Sequence, residues 1–181
     1  MKVTPTALPE VLLIEPQVFN DDRGLFFESF NRRDFACATG LDLEFVQDNH
    51  SYSRRGVLRG LHYQIRQPQG KLVHVIQGTI FDVAVDIRRS SPTFRRWVGT
   101  ELTSEDRKYL WTPPGFAHGF IVLSKTANVL YKVTDYYAAE HERGIRWDDP
   151  DLAIEWPIVP AIVLSKRDQD APFLCSSELP S

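Results

Sequence analysis

The stretch GVLRGLHYQIRQPQGKLVHVIQGTIFDVAVDI, residues 56–87, sets Arg59, His62 and Lys71 close together. Histidine is the side chain most readily poised to take and give protons near neutral pH, and fixed cations around it suit an anionic ligand. A histidine that moves protons needs a carboxylate to orient it and steady its charge. Asp48 in VQDNH, Asp82 and Asp86 in IFDVAVDI, and Asp168 in LSKRDQD are all candidates by residue type. Strand alternation places Asp82 and Asp86 on one face with Ala84, so both turn inward if that face is covered. A buried carboxylate satisfied by backbone or arginine is the structural alternative for Asp82.

The string PPGFAHGF contains P-x-G-x-x-H, Pro113 to His118, and resembles the second motif of the cupin jelly rolls. In metal cupins that motif supplies one histidine, and an H-x-H with a following glutamate supplies three more ligands. Here the first segment reads His62-Tyr63-Gln64, with Pro68 and Gln69 where the glutamate would fall. Only His62 and His118 remain, and glutamine is a poor substitute for imidazole at a transition metal. No metal is expected. Cys37 and Cys175 are far apart, which indicates neither a disulfide framework nor a zinc site. Neither G-x-G-x-x-G nor G-x-x-x-x-G-K-[ST] occurs, so no cofactor is expected.

The elements that must position these residues read mostly as strands. Proline and glycine punctuate the chain roughly every ten residues, the spacing of an all-β sandwich or barrel. KLVHVIQ, residues 71–77, has mixed faces and reads as a strand covered on both sides; Gln77-Gly78-Thr79 then offers a tight turn into IFDVAVDI, which predicts a hairpin. Further strands are expected over 97–102, 109–111, 119–123 and 128–134, separated by RRSSPTF, TSEDR, TPPGFAH and SKTA. The best helix runs over 32–38, capped by Asn31 and ended near Gly40. Pro150, Pro157, Pro160 and Pro172 exclude a long helix from the C-terminal third, so residues 147–181 should pack extended over the sheet. A single all-β domain over residues 1–181, a cupin-type jelly-roll β-sandwich or barrel with a few short helices, is the expected architecture.

Six strings carry a wider likeness: DDRGLFFESF, FVQDNHSYSRRGVLRGLHYQ, GKLVHVIQGTIFDVAVDIRRSSPTF, PPGFAHGF, LYKVTDYY and GIRWDDPDLAIEWP. In order and spacing, from about Leu12 to Asp168, the chain resembles the dTDP-4-dehydrorhamnose 3,5-epimerase family, metal-free cupins of sugar-nucleotide metabolism; the tail after Asp170 lies outside the likeness. The resemblance implies a dTDP-4-keto-6-deoxy sugar as substrate, a place in dTDP-L-rhamnose formation, and a homodimer to which residues 1–30 contribute. It matches Asp168 to His62 as partner carboxylate. In this substrate the C4 ketone acidifies the protons at C3 and C5, and inversion requires removal from one face and delivery from the other. His62 suits the base, Tyr131 the opposite-face acid, since a phenol keeps its proton near neutrality, and Lys71 the C4 enolate oxygen. Removing such an electrostatic contact costs about 2–4 kcal/mol of transition-state stabilisation.

By the same resemblance Arg23, Arg59 and Arg167 match nucleotide-sugar contacts, where arginine's planar fork suits phosphate. Glu28, Gln47, Asp48, Asn49, His118 and Glu142 match ligand-lining positions. Phe19, Phe26, Phe27, Tyr136 and Tyr137 all offer faces to a flat base. A relative that inverts one carbon, or moves the ketone from C4 to C3, shares the base and the enolate. A cupin oxygenase needs the absent ligands, and a non-enzymatic sugar-binding module has no use for His62 with Tyr131. A formal charge of −3 argues against a general nucleic-acid binder, and the N-terminal residues MKVTPTALPEVLL lack the apolar run of a signal peptide or membrane span. A cytoplasmic protein is expected.

Overall fold

The computed structural model describes residues 1–180; Ser181, the end of the segment expected to pack on the sheet, lies outside the described residues. In chain order the elements are β1 (Lys2–Pro5), β2 (Leu12–Glu15), β3 (Phe19–Asp21), β4 (Gly24–Phe26), helix α1 (Arg32–Thr39), β5 (Gln47–Arg54), β6 (Leu58–Gln64), β7 (Lys71–Gln77), β8 (Thr79–Asp86), β9 (Trp97–Thr103), β10 (Tyr109–Thr112), β11 (Phe116–Val122), β12 (Thr126–Val133), β13 (Glu142–Gly144) and the one-turn helix α2 (Lys166–Gln169). Two antiparallel sheets carry the fold, a six-stranded one in the order β1-β2-β10-β7-β12-β5 and a five-stranded one in the order β13-β6-β11-β8-β9. β3 and β4 form a separate hairpin. The all-β jelly-roll sandwich expected from the sequence is the architecture observed.

Between the sheets lies a core of Val73, Val75, Leu110 and Val129 packed with Ile80, Ala84, Leu102, Phe120 and Val122. The outer faces are covered too. The C-terminal segment lays Leu152 and Leu174 over Leu61, Tyr63, Val83 and Val85, while α1 sets Phe35 against Ile14, Leu72 and Trp111 on the other side. Double coverage explains why all of β11 and most of β8 are buried. α1 begins where Asn31 accepts hydrogen bonds from the backbone N–H groups of Arg33 and Asp34, and it ends at Gly40.

Two expectations are corrected. β7 and β8 are not a hairpin: β7 pairs with β10 and β12, and β8 with β11 and β9, so the chain crosses between sheets at Gly78. Gly78 has φ of 86°, and a Cβ there would sit 2.2 Å from the Thr126 carbonyl oxygen, so the crossover needs glycine sterically. The P-x-G-x-x-H motif is also not all loop. Its turn ends at Gly115 and β11 begins at Phe116, which makes His118 a strand residue.

Candidate active site

A cavity of about 220 Å³ opens between the sheets, lined by Ser51, Arg59, His62, Lys71, His118, Phe120 and Tyr131. His62 and Arg59 come from β6 and His118 from β11, in one sheet; Lys71 comes from β7, Tyr131 from β12 and Ser51 from β5, in the other. Arg59 and His62 are three apart, which in a regular strand would put them on opposite faces. A register shift resolves this. His118 pairs with His62 and Phe120 with Arg59, so Gly60 and Leu61 together face the single residue Gly119. This β-bulge turns both side chains into the cavity.

His62 Nε2 donates to Asp168 Oδ1 at 2.6 Å, leaving Nδ1 as the imidazole's acceptor. Asp168 stands on α2, whose cap Ser165 donates its hydroxyl to Asp168 Oδ2 at 2.8 Å and accepts the Asp168 N–H. The segment leading to α2 is tied to the start of β6 by a parallel bridge between Val57 and Val163 and by the bond from Leu58 N–H to the Val163 carbonyl. The strand that carries the histidine therefore also anchors its carboxylate. Burial works to raise the Asp168 carboxyl, but the hydrogen bond and charge of His62, the Ser165 hydroxyl and the Arg167 charge outweigh it and hold the group below the usual range.

His118 has its own carboxylate. Its Nε2 lies 2.8 and 3.0 Å from the two oxygens of Asp82, which has no exposed surface. Asp86 is equally buried but serves the structure, accepting from Arg88, Ser91 and Thr93 in the loop after β8. Lys71 is 9% exposed. Burial pulls its ammonium down to about 8, against the charges of Glu142 and Asp82, which oppose the shift. The Tyr131 phenol moves the other way: burial raises it, with the Arg59 charge opposing. Arg59 is braced by β5 through Nε to Ser53 Oγ at 3.0 Å.

At the cavity rim Glu142 accepts from the Tyr137 hydroxyl at 2.6 Å and pairs with Arg167. Burial works to raise Glu142, but hydrogen bonds from Tyr137 and Arg167, with the charges of His62 and Arg167, lower it overall. Gln47 donates to Asn49 Oδ1 at 2.8 Å and accepts from the Tyr137 N–H, and Asn49 is the cross-strand partner of Tyr131. Three residues matched to the ligand do not gather here within one chain. Asp48 points to the outer face, paired with Lys132 at 3.0 Å, because alternation opposes it to Gln47 and Asn49. Arg23 and Glu28 belong to the β3–β4 hairpin and its exit, where Arg23 pairs with Asp21 and Glu28 accepts from Asn31. Ser51, Ser53 and Ser165 were not singled out from the sequence. Period-2 alternation from Gln47 and Asn49 points to Ser51 and Ser53, and S-x-x-D is the cap signature at Ser165.

Among the described residues no group of three or more His, Cys, Asp or Glu side chains is placed to hold a metal ion, and no helix is long and apolar enough to cross a membrane.

The family model described as dTDP-4-dehydrorhamnose 3,5-epimerase matches residues 5–176. The dTDP-4-dehydrorhamnose 3,5-epimerase of Pseudomonas aeruginosa is 60% identical over 169 residues, 93% of each chain. The fold superposes with a TM-score of 0.96 on the dTDP-6-deoxy-D-glucose-3,5-epimerase of Legionella pneumophila, crystallised with dTDP-4-keto-L-rhamnose, at 49% identity over 99% of this chain and 97% of that one. A 3'-monoepimerase of Streptomyces bikiniensis, in complex with dTDP-quinovose, gives a TM-score of 0.91 at 34% identity, covering 100% of this chain and 93% of that one. With a histidine, a phenol and a lysine gathered in one cavity, and a family match that spans nearly all of it, the chain is an isomerase and belongs to the dTDP-4-dehydrorhamnose 3,5-epimerase family.

Proposed function

We propose that the chain acts as one cupin-like domain that converts dTDP-4-dehydro-6-deoxy-D-glucose to dTDP-4-dehydro-L-rhamnose, inverting C3 and C5 through C4 enolates. The observation that carries this reading is the pairing across the cavity: His62, backed by Asp168 at 2.6 Å, stands on one sheet, and the Tyr131 phenol stands on the other. Inversion needs such a pair, because the proton must leave by one face and return by the other. His62 Nδ1 takes the proton, and the Asp168 carboxylate steadies the imidazolium. Lys71 holds the enolate oxygen, and Tyr131, whose phenol burial keeps protonated, returns the proton. A cavity of about 220 Å³ is smaller than the roughly 300 Å³ and more of drug-sized pockets. It suits the hexose alone and leaves the nucleotide on the rim. There Arg59 and Arg167 serve the diphosphate, Tyr137 offers its exposed ring, and Gln47, Asn49, His118 and Glu142 supply polar contacts.

The working unit in this reading is a cytoplasmic homodimer. The β3–β4 hairpin supports it: the cross-strand pair Phe19 and Phe26 is 54% and 68% exposed, and Arg23 stands at the hairpin tip away from the His62 cavity. An exposed aromatic pair rimmed by charge marks an association surface. Crossing to a partner would bring Arg23 and Glu28 to that partner's site.

Incubation with dTDP-4-dehydro-6-deoxy-D-glucose in D2O, followed at C3 and C5 by NMR, tests the function. Deuterium at both carbons with double inversion is the expected result. Exchange with inversion at C3 alone would make the protein a mono-epimerase, and nucleotide-sugar binding without exchange would make it a binding module.

A further inference from the structure

Asp82 is buried, charged and unused by the reaction above. Its carboxylate has no exposed surface, and burying a carboxylate is costly unless it is well paired. Asp86, four residues on along the same face, answers that cost with donors from Arg88, Ser91 and Thr93 that organise a loop. Asp82 instead turns both oxygens, at 2.8 and 3.0 Å, on one nitrogen, His118 Nε2. That ring is 7% exposed and lines the cavity beside Lys71. His118 is also the cross-strand partner of His62, so two histidines stand side by side, each with Nε2 turned to a carboxylate.

We propose that Asp82 is a positioning residue for the sugar site: it fixes His118 as the Nε2–H tautomer and so presents Nδ1 as a hydrogen-bond acceptor for a sugar hydroxyl. The second nitrogen of an imidazole is set by the bond its first one makes, and the carboxylate partners of metal-bound histidines, which orient the ring in the same way, are worth about 10–100-fold. The same buried charge opposes the loss of the Lys71 proton, so one carboxylate serves two cavity side chains. The inference rests on the epimerase reading for its ligand, but not for its tautomer.

The test begins with the unsubstituted protein. Long-range 15N–1H spectra of histidine-labelled enzyme, with His118 assigned by comparison with His118→Asn, should show its proton on Nε2; a proton on Nδ1, alone or with Nε2, overturns the proposal. Asp82→Asn then keeps the size and removes the charge, and its amide can donate to Nε2 and favour the other tautomer. The expected result is a moved proton, dTDP affinity unchanged, kcat on the keto sugar reduced about 10–100-fold, and no further loss when His118→Asn is added. Asp82→Asn turnover within twofold of the unsubstituted enzyme, or losses that multiply in the double variant, overturns it. If the unsubstituted enzyme exchanges no carbon-bound proton, the epimerase reading has failed, while the tautomer result still stands or falls by itself.

Discussion

In the proposed mechanism Lys71 ties the reaction to pH. Its ammonium sits at about 8, and only the charged form stabilises an enolate, so its contribution is complete at lower pH and lost as pH rises through that value. The kcat/KM profile should fall above about pH 8, and Lys71→Arg, slower overall, should lack that limb because guanidinium does not deprotonate there. The two proposed proton carriers separate in D2O. His62→Asn should abolish exchange at both carbons, whereas Tyr131→Phe should still exchange deuterium while failing at double inversion. If Tyr131→Phe is as silent as His62→Asn, with nucleotide still bound, the phenol takes part in forming the enolate. Some of this site was legible residue by residue and some was not. Alternation alone separates Gln47, Asn49 and Ser51 from Asp48, so the outward turn of Asp48 within the chain was a signal already present. Nothing local links His62 to Asp168, 106 positions away; only the likeness to a family joined them.

Among the elements, β6 is the one whose irregularity matters most. Gly60 has φ of 125°, and a Cβ there would lie 2.6 Å from Gly119 Cα and 2.8 Å from the His118 carbonyl oxygen. Gly60→Ala should therefore cost about 1–3 kcal/mol of stability through backbone strain, and kcat/KM should drop further than the unfolding midpoint suggests, because Arg59 and His62 lose their common face. Urea titration and turnover on one preparation check both. The tail after Asp170, expected to lie outside the likeness but matched by the family model as far as residue 176, also works at this scale. Leu174 is 1% exposed, its N–H donates to Asp149, and Tyr63 donates to the Glu178 carbonyl. Leu174→Ala should cost about 2–5 kcal/mol, read as a lowered denaturation midpoint. The helix α1 was legible because its cap and stop are local. The β7–β8 hairpin was misread because a glycine turn between two apolar strands looks the same whether the strands pair with each other or with distant partners.

For the whole molecule, the proposed crossing of the β3–β4 hairpin to a partner is tested by a mixing experiment. Arg23→Ala and His62→Asn homodimers, refolded together in equal amounts, should regain about a quarter of full activity, since half the dimers then carry one intact composite site. No regain means that Arg23 acts within its own chain or not at all. Exhaustive chelation should leave turnover unchanged, because among the described residues His62 and His118 are not joined by the further His, Cys, Asp or Glu side chains a metal would need; loss on chelation with recovery on adding one metal would refute this. The crossover at Gly78 has a last consequence, in time. Consecutive strands enter opposite sheets, and β7 finds its neighbours in β10 and β12, so neither sheet can be finished before residues far along the chain have arrived. Such non-local pairing slows folding, to about milliseconds or seconds in small all-β domains. During synthesis the cavity would stay unformed until β12, at residues 126–133, has emerged, and a nascent chain stalled before that point should bind no nucleotide sugar.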